Sequence, residues 1–257
     1  MKENYFDEDI APCYDERSAS MFDPAILGPT VDFLAAHASD GQALELAIGT
    51  GRVGLALSQR GIPVHGIELS ESMARQLRSK PGSEELEVTI GDMARTRVPG
   101  TFTLVYLVYN TITNLLTQDE QVECFRNAAS HLEPGGRFVV EVFVPELQRL
   151  PPGETARPFH VGDNHLGFDT FDLVNQQLVS HHFWIRGDRV ERFHSPHRYV
   201  WPSELDLMAM LAGMRLRERW SDWMRSPFRA DSRTHISVWE KRASGAPGSE
   251  KVMATLE

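Results

Sequence analysis

The segment Ala43-Leu44-Glu45-Leu46-Ala47-Ile48-Gly49-Thr50-Gly51 constrains the fold more than any other part of the chain. An apolar run ends in a glycine turn. A second short run, Pro63-Val64-His65-Gly66-Ile67-Glu68, ends in an acid. Parallel sheets build nucleoside sites in this way. The glycines admit a ligand close to the backbone, and the acid that closes the next strand accepts hydrogen bonds from ribose hydroxyls. Glu45 narrows the choice of ligand. A carboxylate four residues before the first glycine adds nothing to a pyrophosphate loop. It suits a ligand that carries an ammonium group and a sulfonium.

The periodicity around this segment alternates strands with helices. Asp23-Pro24 opens a predicted helix to about residue 37, with Ile26, Val31, Leu34 and Ala35 inward. Strands are predicted over 43–48, 63–68, 86–90, 102–109 and 137–144, with helices over 53–60 and from Ser70 to before Pro81. Thr117-Gln118-Asp119-Glu120 is a capping box that opens a further helix with Val122, Phe125, Ala129 and Leu132 on one face. The run 102–109 is apolar enough for a central strand. Such interleaving implies a parallel sheet covered on both faces.

The pattern then changes. Residues 145–158 are proline-rich and read as a loop, and 159–201 read as antiparallel strands. The strand candidates there are 170–173, 177–185 and 189–201, with Gly187-Asp188 as a hairpin turn. Pro202-Ser203 starts a helix that buries Leu205, Met208, Leu211 and Ala212, and strands at 214–220 and 234–240 close the fold.

At 257 residues the chain can bury one full core. Lys plus Arg number 26 and Asp plus Glu 36, a formal charge of -10. Nucleic acid is not an expected partner, because binding a polyanion needs a basic surface. The two cysteines, Cys13 and Cys124, form no metal-ligand spacing and no disulfide framework, which suits the cytoplasm. The acidic N-terminal segment lacks the apolar stretch of a signal peptide, and no apolar run is long enough to span a bilayer.

Four elements in order resemble the class I S-adenosylmethionine-dependent methyltransferases: Glu45 to Gly51, Glu68 at a strand end, Gly91-Asp92-Met93, and Leu132-Glu133-Pro134-Gly135-Gly136 before a strand. Tyr14-Asp15, Asn110-Thr111 and the strand-rich insertion most resemble the glycine/sarcosine and deoxyaminosugar N-methyltransferases within that class. The resemblance implies an α/β fold: a Rossmann-like seven-stranded sheet with helices on both faces and a small antiparallel β insertion. It divides the chain into an N-terminal helical lid (1–39), a cofactor-binding core (40–145 and 202–242), an insertion for the acceptor pocket or a dimer contact (146–201) and a disordered tail (243–257).

The resemblance also implies residue roles. Glu45 lies near the methionine ammonium, and Ala47, Gly49 and Gly51 give backbone contact to the methionine and ribose parts. Glu68 binds the ribose hydroxyls, with Leu69 and Met73 against the adenine. Asp92 and Met93 contact the adenine edge, Leu107 and the residues up to Asn110 line the site at the fourth strand end, and Tyr14 covers the methionine end. Ile48 departs from the small residue or cysteine common there.

Methyl transfer from a sulfonium is a displacement, so alignment and exclusion of water do most of the work. Tyr14 and His182 are the candidate catalytic groups, and Asn110, Trp184, His197 and Trp201 the candidate acceptor contacts. For each insertion aromatic the competing reading is packing or a homodimer interface. Strand alternation sets His182 and Trp184 on one face and His181 and Phe183 on the other. No metal site is expected. The expected acceptor is a small molecule, an amine or a secondary metabolite. Two alternatives stay open. Gly49-Thr50-Gly51-Arg52-Val53-Gly54 also spells the G-x-G-x-x-G of an NAD(P)-dependent oxidoreductase. A cofactor-binding protein without catalysis would keep the same acids.

Overall fold

A computed structural model describes Phe6 and residues 10–243. In it the alternation becomes a doubly wound sheet. The N-terminal part forms α1 (Ala11–Arg17) and α2 (Pro24–Ala38). The Asp23 side chain accepts the Ala25 N–H at 2.9 Å and caps α2, and Pro24 stands where a helix loses nothing by lacking an N–H. The core follows as β1 (Ala43–Leu46), α3 (Arg52–Ser58), β2 (Val64–Glu68), α4 (Glu71–Arg78), β3 (Glu87–Ile90), β4 (Phe102–Leu107), α5 (Gln118–His131) and β5 (Leu132–Phe143). Both halves of the Thr117–Glu120 capping box form at the start of α5. After the insertion come α6 (Pro202–Leu211) and two last strands, Met214–Trp220 and Thr234–Lys241.

The insertion is four antiparallel strands: β6 (Ala156–Val161), β7 (His165–Asp172), β8 (Gln177–Arg186) and β9 (Arg189–Arg198), so the last two strands of the core are β10 and β11. The main sheet runs β10-β11-β5-β4-β1-β2-β3, with β11 antiparallel to β5. β1 pairs in parallel with both β2 and β4, so the strand order reverses beside it. In such sheets a ligand crevice opens at the carboxyl ends of the strands at that reversal. One apolar layer carries Leu44, Leu46, Leu107 and Phe138, and the opposite layer Ala43, Leu104, Tyr106 and Val139. This is the alternation of a sheet buried on both faces.

The structure differs from expectation at several edges. β4 stops at Leu107, because Tyr109 and Asn110 turn into the left-handed region with φ of 58° and 62°. β6 starts inside the stretch read as loop. Pro158 hid it, and Pro is tolerated there because β6 is an edge strand that bulges between Pro158 and His160. β9 ends at Arg198, and Tyr199 and Val200 pack in the core. Ile26 and Leu211, expected inward, are exposed near helix ends. The predicted tail from residue 244 on, and residues 1–5 and 7–9 of the predicted lid, lie outside the described residues. Among the described residues no helix is long and apolar enough to cross a membrane, and no three His, Cys, Asp or Glu stand together to hold a metal.

Candidate active site

The carboxyl edge of the sheet at β1, β2 and β4 brings most of the expected cofactor residues together. After β1, Ala47 (φ 55°), Gly49 (φ 60°) and Gly51 (φ 81°) all adopt left-handed backbone. A Cβ on Gly51 would lie 2.9 Å from the Leu77 side chain of α4, so the turn packs against that helix only as glycine. Glu68 ends β2 and is buried. One carboxylate oxygen accepts the Gly49 N–H and the other the Ser70 N–H, each at 2.8 Å. Burial pushes its carboxyl up, and the backbone donors oppose that. Met73 lies against the turn, and Leu69 is partly exposed next to Glu68. After β3, an Asp92 oxygen accepts the Ala94 N–H at 2.9 Å, and the carbonyl of the buried Met93 accepts from Asn127 at 2.7 Å.

Glu45 sits in the middle of β1, opposite Tyr106 of β4, and is 3% exposed. Its carboxylate accepts the Tyr106 hydroxyl at 2.8 Å. Burial pushes its carboxyl up to about 8, while the Tyr106 hydrogen bond and the Arg52 charge oppose the shift. The acid is therefore short of positive charge. Leu107 is fully buried in the core at the end of β4. Asn110 faces the backbone: its side-chain oxygen accepts the Phe143 N–H at 2.7 Å and ties the end of β4 to β5.

The helix α1 closes over this edge. Asp15 accepts the Thr50 hydroxyl at 2.6 Å and pairs with Lys80 at 2.5 Å, while Lys80 also donates to the Thr50 carbonyl at 2.7 Å. Tyr14 comes within electrostatic reach of Tyr109, Arg52 and Glu68. Burial first, then Tyr109, pushes its hydroxyl up to about 12, so it stays protonated. The Arg52 guanidinium lies 5.4 Å from the center of the Tyr109 ring. The family resemblance places Tyr109 at the site within the stretch up to Asn110 but does not single out Arg52 or Tyr106. Arg52 directly follows the glycine turn, and the register of β4 on β1 brings Tyr106 beside Glu45.

The inserted sheet turns one face toward the core. On it His165, His182 and Trp184 stack with ring centers 5.2–5.3 Å apart, and the Arg17 guanidinium of α1 lies 4.4 Å over Trp184. His182 Nδ1 is hydrogen-bonded to His165 Nε2 at 3.1 Å, and burial pushes the His182 imidazole down to about 4. His197 reaches Thr113, beyond the end of β4, at 3.2 Å and Ser195 at 2.8 Å. Burial pushes it to about 4 as well. Both imidazoles are neutral at pH 7. Trp201 stands apart, exposed at the start of α6. The expected alternation holds: His181 lies on the opposite face, stacked on Phe168 at 4.7 Å and bonded to His194 at 2.9 Å.

The donor set fits S-adenosylmethionine. Glu68 accepts backbone N–H groups from Gly49, Ser70 and Leu69 and keeps lone-pair capacity for a ribose hydroxyl. The buried Glu45 gains from a nearby cation. A seven-stranded sheet of this order, with an acid-glycine turn at its reversal point, defines a Rossmann-like S-adenosylmethionine-dependent methyltransferase. Comparison with known proteins agrees. Residues 43–136 match the family model of a methyltransferase domain. The CcbJ methyltransferase from Streptomyces caelestis is 36% identical, with 95% of this chain and 100% of that one covered and a TM-score of 0.84. The cypemycin N-terminal methyltransferase of a Streptomyces species is 27% identical over 240 residues, 89% of this chain and 98% of its own. The dTDP-3-amino-3,4,6-trideoxy-alpha-D-glucopyranose N,N-dimethyltransferase of Streptomyces venezuelae is 31% identical over 140 residues, 50% of this chain and 58% of its own. The chain belongs to the S-adenosylmethionine-dependent methyltransferases. The dinucleotide oxidoreductase alternative falls with that assignment.

Proposed function

We propose that this enzyme methylates a nitrogen atom of a small molecule, an amine or a secondary metabolite. One observation carries the reading. The inserted sheet faces the carboxyl edge with neutral imidazoles and aromatic rings, a surface for an uncharged amine on an apolar body. Two relatives support it: one is a cypemycin N-terminal methyltransferase and the other an N,N-dimethyltransferase of a dTDP-linked amino sugar.

When bound, S-adenosylmethionine supplies an electrophilic methyl group on sulfonium sulfur. In this reading Glu68, Gly49, Gly51 and Ala47 hold its ribose and methionine parts, with Leu69, Met73, Asp92 and Met93 around the adenine. Glu45 balances the ammonium. Tyr14, protonated up to about 12, donates its one O–H to the methionine carboxylate and orients the acceptor by accepting an amine N–H, which leaves the nitrogen lone pair free to attack. His182 carries a proton poorly, since its imidazole lies at about 4. We assign it to orientation through a hydrogen bond; the uncharged amine attacks as it stands, and the methylated ammonium product loses its proton once released to solvent. His197 and Trp184 bound the acceptor space, Asn110 holds the backbone at its edge, α1 excludes water, Leu107 contributes packing, and Trp201 lies outside the space.

We further propose that the protein works in the cytoplasm as a homodimer. Cys13 and Cys124 are free thiols, and the outer face of the insertion exposes Leu166 and Val190 beside Phe168 and Phe183. Phe183→Glu then yields monomers by sedimentation.

The test is transfer of a labelled methyl group from S-adenosylmethionine to a panel of aminosugars, amino acids and peptides. N-methylated product with release of S-adenosylhomocysteine supports the reading. Methyl found on oxygen or carbon overturns it.

A further inference from the structure

We infer that Glu141 is a positioning residue: its carboxylate holds the backbone elbow at Tyr109–Asn110 and so fixes the Tyr109 ring beside Arg52 and Tyr14. Two consecutive residues with side chains adopt left-handed backbone there, with φ of 58° and 62°. An aromatic residue in that region is an outlier, and such backbone persists only where its surroundings hold it.

The surroundings are specific. The parallel ladder between β4 and β5 ends at Leu107 and Val140. One residue further along β5, side-chain bonds replace it. Glu141 Oε2 accepts the Tyr109 N–H at 2.7 Å, and the Glu141 carbonyl accepts the Asn110 N–H at 3.2 Å. The Asn110 side chain closes the elbow by accepting the Phe143 N–H at 2.7 Å. The other carboxylate oxygen, Oε1, accepts the Trp223 indole N–H at 2.9 Å. Trp223 in turn packs edge-on against Phe33 of α2, with ring centers 5.3 Å apart. The acid is thus anchored from the loop between β10 and β11, and only one of its oxygens is left for the elbow.

The elbow aims a side chain. Tyr109 is 41% exposed, which is uneconomical for a packing residue. Its ring lies 5.4 Å from the Arg52 guanidinium, at the first residue after the glycine turn, and Tyr14 senses its hydroxyl. A ligand on the turn meets Tyr109, Arg52 and Tyr14 together. Gln at position 141 offers one acceptor and one NH2 to two N–H donors, so it keeps one bond and loses the other.

The inference rests on the cofactor reading of the glycine turn. It is tested by titrating S-adenosylhomocysteine into the full chain, as wild type, Glu141→Gln, Tyr109→Ala and the double variant. Glu141→Gln is expected to weaken binding about tenfold, and Tyr109→Ala by a similar factor. The double variant should bind within about twofold of Tyr109→Ala, because the acid acts only through that ring. Trp223→Phe frees one carboxylate oxygen and should cost about threefold, also lost in the Tyr109→Ala background. It serves the same cycle if Glu141→Gln does not fold. Unchanged affinity in Glu141→Gln, or losses that add in the double variant, overturn the proposal. Wild type that fails to bind S-adenosylhomocysteine overturns the cofactor reading instead.

Discussion

The Glu68 carboxylate accepts the backbone N–H of Gly49 at 2.8 Å, so the acid that ends β2 holds the turn that follows β1. Its second oxygen accepts the Ser70 N–H, and the Ser70 hydroxyl caps α4 at the Met73 N–H. One side chain therefore organizes both sides of the crevice before any ligand arrives. Glu68→Ala strands two N–H donors as well as the ribose hydroxyls. It should weaken S-adenosylhomocysteine binding by about 1–3 kcal/mol. It should also lower ligand-free stability, which calorimetry and urea unfolding measure separately. Unchanged affinity removes the ribose role, and a loss of affinity without a loss of stability removes the turn-holding role.

Glu45 gives a pH dependence with a definite sign. Its carboxyl is raised from 4.5 to about 8 by burial. Between those values the folded chain keeps a proton that the unfolded chain has released. The stability from that proton is complete below the unfolded value and is lost as pH rises toward about 8. Glu45→Gln keeps an acceptor for Tyr106 and has no proton to lose. Its stability relative to wild type should grow by up to about 1.4 kcal/mol per pH unit across this window. Urea unfolding at several pH values measures it. A gap independent of pH would mean that Glu45 is ionized throughout. Binding of S-adenosylhomocysteine at neutral pH should release a proton in wild type and none in Glu45→Gln, read by calorimetry in two buffers.

The glycine turn separates two kinds of backbone demand. Gly51 has both a left-handed φ of 81° and the Leu77 side chain 2.9 Å from where a Cβ would stand. Gly51→Ala should cost about 1–3 kcal/mol of stability and weaken cofactor binding with it. Ala47 has the same backbone hand, φ 55°, and already carries its Cβ. Ala47→Gly should therefore gain stability, by about 0.5–1 kcal/mol. Thermal unfolding of the two variants should move in opposite directions. Losses in both would mean that the Ala47 methyl packs more strongly than its backbone strains.

This turn also marks what could be read before the fold was known. Glu45 to Gly51, Glu68 and Asp92-Met93 were legible because each is a contiguous stretch at a strand end. The strand-and-helix alternation fixes where those ends meet. Tyr106 belongs to an apolar run and read as core, yet its hydroxyl serves Glu45, because only the register of β1 on β4 sets them opposite. Tyr109 is predicted as the end of a strand by the apolar run 102–109. Its left-handed backbone depends on Glu141, 32 residues further on, a relation that no local pattern encodes. The insertion is legible where rings alternate along β8 and illegible along the exposed, proline-bearing edge strand β6.

How the inserted sheet is held over the site leads to the last prediction. Arg198, at the end of β9, is 5% exposed and donates to Gln121 of α5 at 2.5 Å and to Glu204 of α6 at 2.7 Å. The fully buried Gln121 amide donates in turn to the carbonyls of Ile112, Leu115 and Arg198. This network joins the insertion to the segment that follows β4, where Thr113 meets His197. Arg198→Ala takes the charged donor from Glu204, which keeps the Gln118 and Gln176 amides, and leaves the Gln121 side-chain oxygen without its donor, and should cost about 1–3 kcal/mol. Arg198→Met with Glu204→Leu should recover most of that loss, since no unpaired charge remains. Because the network lies on the acceptor side of the crevice, the double variant should bind S-adenosylhomocysteine as wild type does and methylate its acceptor with a raised KM. Urea unfolding, calorimetry and steady-state kinetics read the three effects. A double variant with wild-type KM would mean that the network only stabilizes the chain and leaves the height of the sheet over the site to other contacts.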